Sequence, residues 1–118
     1  MFYLWIDDER AMPALARNNA AFDAMARTTN EALRIIKREY KSGTRHFFLD
    51  IDNDTEDALT NIHGGEFYNV LAFLEQLIHM GRMSNVHFEV RIHTGNAAAR
   101  ARMRSLIQGN ASYFQEVV

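Results

Sequence analysis

Two acidic clusters in this chain each follow a short apolar run. Asp7-Asp8-Glu9-Arg10 comes straight after Phe2-Tyr3-Leu4-Trp5-Ile6, and Asp50, with Asp52 and Asp54, comes straight after Phe47-Phe48-Leu49. Carboxylates gathered at one place repel, and they call for a cation or a shared proton. Oxygen ligands of this kind suit Mg²⁺ or Mn²⁺. Asp7, Asp8, Asp50 and Asp52 are therefore the candidate metal ligands. His93 ends a third run and is a candidate general acid or base, since imidazole changes charge near neutral pH. Asp50 shares the candidate catalytic role. Thr94-Gly95-Asn96 precedes a helical pattern, and a helix N-terminus presents free N–H groups that suit a phosphate. Arg10 can grip a phosphate with two parallel hydrogen bonds. Arg100 lies on one helix face with Arg104 and can add a further cation.

Each residue also has a plainer reading. Aspartates punctuate strand ends, Asn96 is a natural N-cap, and Arg100 and Arg104 can form a solvated face. Asp50, Asp52 and Asp54 begin like a calcium loop. The sixth position, however, is Thr55 rather than Gly and the twelfth is Asn61 rather than Glu, which excludes an EF-hand. The remaining four histidines show no ligand spacing.

The elements that must position these groups read as alternating strands and helices. Residues 2–6 and 47–49 are continuously apolar runs, the pattern of strands buried on both faces, and the second strand is expected over 46–50. A short strand is expected near 22–26, and residues 8–20 leave room for a helical turn or two around Pro13. Thr28 with Glu31 has the spacing of a capping box. The helix it opens runs to about Tyr40 and stops at Ser42-Gly43. An acidic loop at 51–64 ends in Gly64-Gly65, and a helix from about Glu66 to Met80 follows it. Residues 86–93 alternate, with Val86, Phe88, Val90 and Ile92 on one face and His87, Glu89, Arg91 and His93 on the other. Such a strand has one wet face and belongs at or near a sheet edge, open to a homodimer contact or covered by the C-terminal tail. A helix over 97–107 and a short strand within 112–118 complete the order. The class is α/β: a small, mostly parallel sheet of four or five strands with flanking helices, in one domain. Right-handed crossovers then bring Asp7, Asp8, Asp50 and His93-Thr94 to one sheet edge.

Composition narrows the setting. The formal net charge of −2 gives no general pull toward nucleic acid or anionic membrane. Cysteine is absent, which excludes disulfides, thiolate catalysis and Cys-based zinc sites. No apolar stretch is long enough to span a membrane, and Asp7 comes too early for a secretory signal. A cytoplasmic protein is expected.

Together the motifs resemble the cyclic-phosphate processing receiver-like domain, a divergent relative of response-regulator receivers. The residues that carry the resemblance are Leu4-Trp5-Ile6-Asp7-Asp8-Glu9-Arg10, Leu49-Asp50-Ile51-Asp52, Gly65 and His93-Thr94-Gly95-Asn96, over roughly residues 3 to 107. Two positions depart from that family's pattern: Ile51 stands where it usually has His, and Ala97 where it often has Pro. The resemblance implies a flavodoxin-like fold. It also implies a ligand that is a cyclic nucleotide or an RNA 2′,3′-cyclic phosphate end, bound or hydrolysed with a metal ion. A non-catalytic binder that sequesters a nucleotide or docks a partner, as in a virus or a defence system, is the alternative that Ile51 suggests. A phosphoacceptor receiver using Asp50 and Thr94 is the third reading, and it lacks the lysine such receivers use, since no lysine follows Lys41.

Overall fold

The computed structural model describes residues 1–16, 19–52 and 67–118. Asp54, the Gly64-Gly65 end of the acidic loop and Glu66 lie outside these residues. In chain order the elements are β1 (Phe2–Ile6), β2 (Ala24–Ala26), α1 (Thr29–Lys41), β3 (His46–Ile51), α2 (Tyr68–His79), β4 (His87–Ile92), α3 (Ala97–Gly109) and β5 (Phe114–Glu116). The five strands form one sheet in the order β2-β1-β3-β4-β5, and every pair is parallel. This is the receiver-like, flavodoxin-like α/β architecture expected. The strand order reverses between β1 and β3, and ligands of open parallel sheets bind beyond the carboxyl ends of the strands at such a switch point.

The sheet has two unlike faces. Leu4, Ile6, Phe47, Leu49, Ile51, Phe88, Val90 and Ile92 point to the face where α1, α2 and α3 all pack, and they form the main core with Ile36, Leu71, Leu74 and Met103. Across this face the rings of Phe47, Phe88 and Phe114 stack in a row, with successive centroids 5.2 Å apart. Trp5 and Phe48 point the other way, into a smaller cluster with Phe22 and Val117. No helix among the described residues covers that side. The connection from β1 to β2 left room for a turn or two of helix, and its residues 8–16 form no regular element. Phe22, near its end, packs edge-on against Trp5.

Local signals account for the helix ends. The Thr28 hydroxyl accepts the Glu31 N–H at 3.0 Å, and the Glu31 carboxylate accepts the Arg27 N–H one residue before the cap. Gly43, at φ 106°, ends α1 in the left-handed conformation that glycine allows without strain. β4 proves to be an inner strand. Phe88–Val90 pair with Phe114–Glu116, and the Val117 N–H donates to the Val90 carbonyl. The C-terminal tail thus covers β4, and a homodimer formed by pairing this stretch finds its hydrogen-bonding edge already taken.

Candidate functional site

Register builds the site. Ile6, Ile51 and Ile92 are aligned across β1, β3 and β4. The next residue on each strand is Asp7, Asp52 and His93. Each keeps its backbone N–H in the ladder: Asp7 donates to the Ala26 carbonyl, Asp52 to Ile6 and His93 to Ile51. These three residues therefore form one row at the carboxyl edge. Strand side chains alternate between faces, so this row shares its face with Trp5, Asp50 and Arg91, which form the row two residues behind it.

His93 sits at the centre. Its Nδ1 lies 2.5 Å from Asp50 Oδ1 and its Nε2 lies 3.0 Å from Asp7 Oδ2. The ring stacks flat on Trp5, with centroids 4.2 Å apart and planes 4° from parallel. Asp7, Asp50 and Asp52 are all buried. Burial pushes the Asp7 carboxyl up, but the Arg10 and Glu9 N–H groups and His93 together outweigh it and hold Asp7 below the usual carboxylate range. Both N–H groups reach Asp7 Oδ1 at 2.8 Å, which leaves Oδ2 facing His93.

One oxygen each from Asp7 and Asp52 and a ring nitrogen of His93 lie within 4.8 Å of one another. Ligands on opposite sides of an ion with bonds of about 2.0–2.6 Å stand this far apart. Two carboxylates with one imidazole suit Mn²⁺ and related divalent ions. The donor set therefore fits a cation. It differs from the expected one in two ways. Asp8 is exposed, in the bend after β1, and stands outside the group. Asp50 stands behind the group, against His93 Nδ1. β3 runs to Ile51, one residue beyond the expected 46–50, so Asp50 lies within the strand and Asp52 is the residue just past its end.

Cations and helix groups rim the cluster. Arg10 Nη1 donates to the His93 carbonyl at 3.4 Å, and Arg100 Nη2 donates to the Thr94 carbonyl at 2.7 Å. Thr94 is buried, and its hydroxyl accepts the Asn96 N–H. The Asn96 side chain caps α3 by accepting the Ala99 N–H at 3.0 Å, the plainer of its two expected roles. Arg104 turns away and makes a two-pronged pair with Glu116, at 2.7 and 2.8 Å.

Three residues at the site had no role in the sequence reading. Arg27 Nη1 donates to the carbonyls of Asp7 and Arg10, tying the end of β2 to the turn after β1. Trp5, which the sequence shows only as part of the apolar run of β1, is the platform under His93, and its indole N–H donates to the Arg10 carbonyl. Arg91 Nη1 lies 4.0 Å from Asp50 Oδ2. Trp5 stands two residues before Asp7, and that spacing was the available signal for it. Arg27 follows a three-residue strand, and its sequence context held none.

No curated protein and no solved structure matches the chain. A family model does match it, over residues 2–109, from the first strand to the end of α3, and this range takes in the whole Asp7–Asp52–His93 row, so the chain belongs to the cyclic-phosphate processing receiver domain family.

Proposed function

We propose that this domain binds a cyclic phosphate at the carboxyl edge of its sheet and opens the ring with the help of a divalent cation. The observation that carries this reading is the buried row of Asp7, Asp52 and His93, with three donor atoms within 4.8 Å of one another. In this reading those three residues hold Mg²⁺ or Mn²⁺. Asp50 accepts the His93 Nδ1–H and so leaves Nε2 for the ion, the support that histidine ligands commonly receive. Trp5 fixes the plane of the ring. His93 thus serves as a ligand rather than as the acid or base its position first suggested. The ion, when bound, polarises the phosphoryl oxygen and makes water a better nucleophile. Arg10, Arg100 and the first-turn N–H groups of α3 hold the phosphate oxygens.

The burial of Ile51 removes the objection to turnover that its side chain raised. It points into the helix-covered core, opposite to Asp50 and Asp52, so having Ile there takes no group away from the site. A phosphoacceptor role for Asp50 is disfavoured, because one of its oxygens faces His93 and the other faces Arg91.

The test is ³¹P NMR of a 2′,3′-cyclic mononucleotide with protein and Mn²⁺ or Mg²⁺. Wild type is expected to give a phosphomonoester, and Asp52→Asn and His93→Ala are expected to give none. A phosphorus line shifted or broadened in Mg²⁺ by wild type and not by His93→Ala, without conversion, makes the domain a binder. An unchanged spectrum rejects this ligand class.

A further inference from the structure

A strip of cations runs along the solvent side of α1. Arg34, Lys37, Arg38 and Lys41 recur at spacings of three and four residues and so share one face, turned away from the buried Ala32, Ile35 and Ile36. With Asn30 and Leu33 they line a groove of about 550 Å³. A second groove of about 270 Å³ shares Lys37 and Lys41 and adds Arg82 and Tyr40. Five of the 13 lysines and arginines, including both lysines, thus line two adjoining grooves in a chain whose net charge is −2.

Among the described residues the strip has one ion pair, Arg38 with Glu39 at 3.7 Å. Like charges one turn apart weaken a helix. Arg38 and Lys41 suit the dipole of the last turn, and the repulsion that Arg34 and Lys37 add to them is what an anionic partner would offset. The strip is about 10 Å long, since Arg34 and Lys41 stand seven residues apart at a rise of about 1.5 Å each. It lies in the second half of α1, about two turns beyond Arg27, which stands just before the N-cap and donates to the Asp7 and Arg10 carbonyls. At its far end the Arg45 guanidinium lies 3.9 Å from the centre of the Tyr40 ring, a flat cationic and aromatic surface of the kind on which bases stack.

We propose that the grooves along α1 bind the backbone of a single-stranded nucleic acid. Charge of one sign repeated along a narrow track matches a phosphodiester chain, which carries its charge at regular intervals. The track also answers a steric requirement, and this point rests on the reading of the site given above. In a polynucleotide a 2′,3′-cyclic phosphate occurs only at a strand end, so the rest of the strand must leave across the protein surface. Arg27 at the start of α1 and the strip over its second half would give such a strand successive cations as it leaves the carboxyl edge around the β2 side of the sheet.

Fluorescence anisotropy of a fluorescein-labelled uridine 12-mer tests this. Wild type should bind at 50 mM salt, with affinity falling as salt rises, at a logarithmic slope of about −0.7 for each phosphate neutralised. The combined variant Arg34→Glu, Lys37→Glu, Lys41→Glu should bind at least about tenfold more weakly while keeping its circular dichroism. The milder pair Lys37→Gln, Lys41→Gln should lower the slope by about 1.4. Absence of wild-type binding at 50 mM salt overturns the proposal, as does equal binding by the triple variant. Polyglutamate displacing the labelled RNA as well as unlabelled RNA does would also overturn it, in favour of an acidic protein. Mononucleotide turnover, measured alongside, separates the two readings. RNA binding lost in the triple variant supports the groove even if wild type turns over no cyclic mononucleotide, and that second result would reject only the site.

Discussion

On the face covered by the helices, aligned positions across the sheet are Phe2, Phe47, Phe88 and Phe114, then Ile6, Ile51 and Ile92. On the opposite face they are Trp5, Asp50 and Arg91, then Asp7, Asp52 and His93. The same strands supply both sets, and successive residues alternate between them. One face excludes water with rings and branched chains. The other collects three buried carboxylates around one imidazole. Burying charged groups close together is unfavourable unless hydrogen bonds or a cation compensate. The helix-covered face must therefore supply the stability that lets the other face hold its arrangement.

Substitutions on the two faces should separate accordingly. Phe88→Ala is expected to cost about 3–5 kcal/mol, read from urea unfolding, because it leaves a cavity within a stacked row. Asp52→Asn should leave cation-free stability unchanged or raised, since it removes one of the crowded carboxylates. If Asp52→Asn destabilised as strongly as Phe88→Ala, the division between the faces would fail. Adding Mn²⁺ at a hundred times its dissociation constant should stabilise wild type by about 2.7 kcal/mol and leave Asp52→Asn unmoved. Asp50→Asn should weaken Mn²⁺ binding about 10–100-fold, measured by calorimetry, because His93 would lose the partner on Nδ1. Undiminished affinity would mean that Trp5 alone holds the ring.

The smaller effects sharpen the same division. Thr28→Ala should cost about 1 kcal/mol through the lost N-cap of α1, and the loosened end should also disturb Arg27. Acid unfolding tests Asp7. Its folded value is depressed, so the stability it contributes is complete above the unfolded carboxylate value of about 3.9 and is lost as pH falls through the lower folded value. Asp7→Asn should flatten that acid limb, and an unchanged limb would count against the Arg10 and Glu9 hydrogen bonds. The Arg104 hydrogen bond lowers Glu116 in the same sense. The pair is partly exposed, so Glu116→Gln should cost no more than about 1 kcal/mol.

Much of the fold is legible in the chain because its signals are local. Strand β1, the caps of α1, the apolar stripe of α2 and the alternation of β4 each follow from residues within a turn or two of one another. The parallel order then brings the ends of β1, β3 and β4 to one edge, so the meeting of His93 with Asp7 and Asp50 could be expected. Arg27, by contrast, joins the site through a strand of three residues whose pairing with β1 no local pattern announces.

The sequence by itself determined that carboxylates and a histidine would stand at strand ends, because residue type and hydrophobic period are properties of short segments. Only the tertiary structure decided which of them meet. Its register put Asp52 rather than Asp50 in line with Asp7 and His93, turned Asp8 outward and laid His93 on Trp5. The physical reason is the two-residue period of a strand: a shift of one residue sends a side chain to the other face. Register is set by pairing between segments distant in the chain.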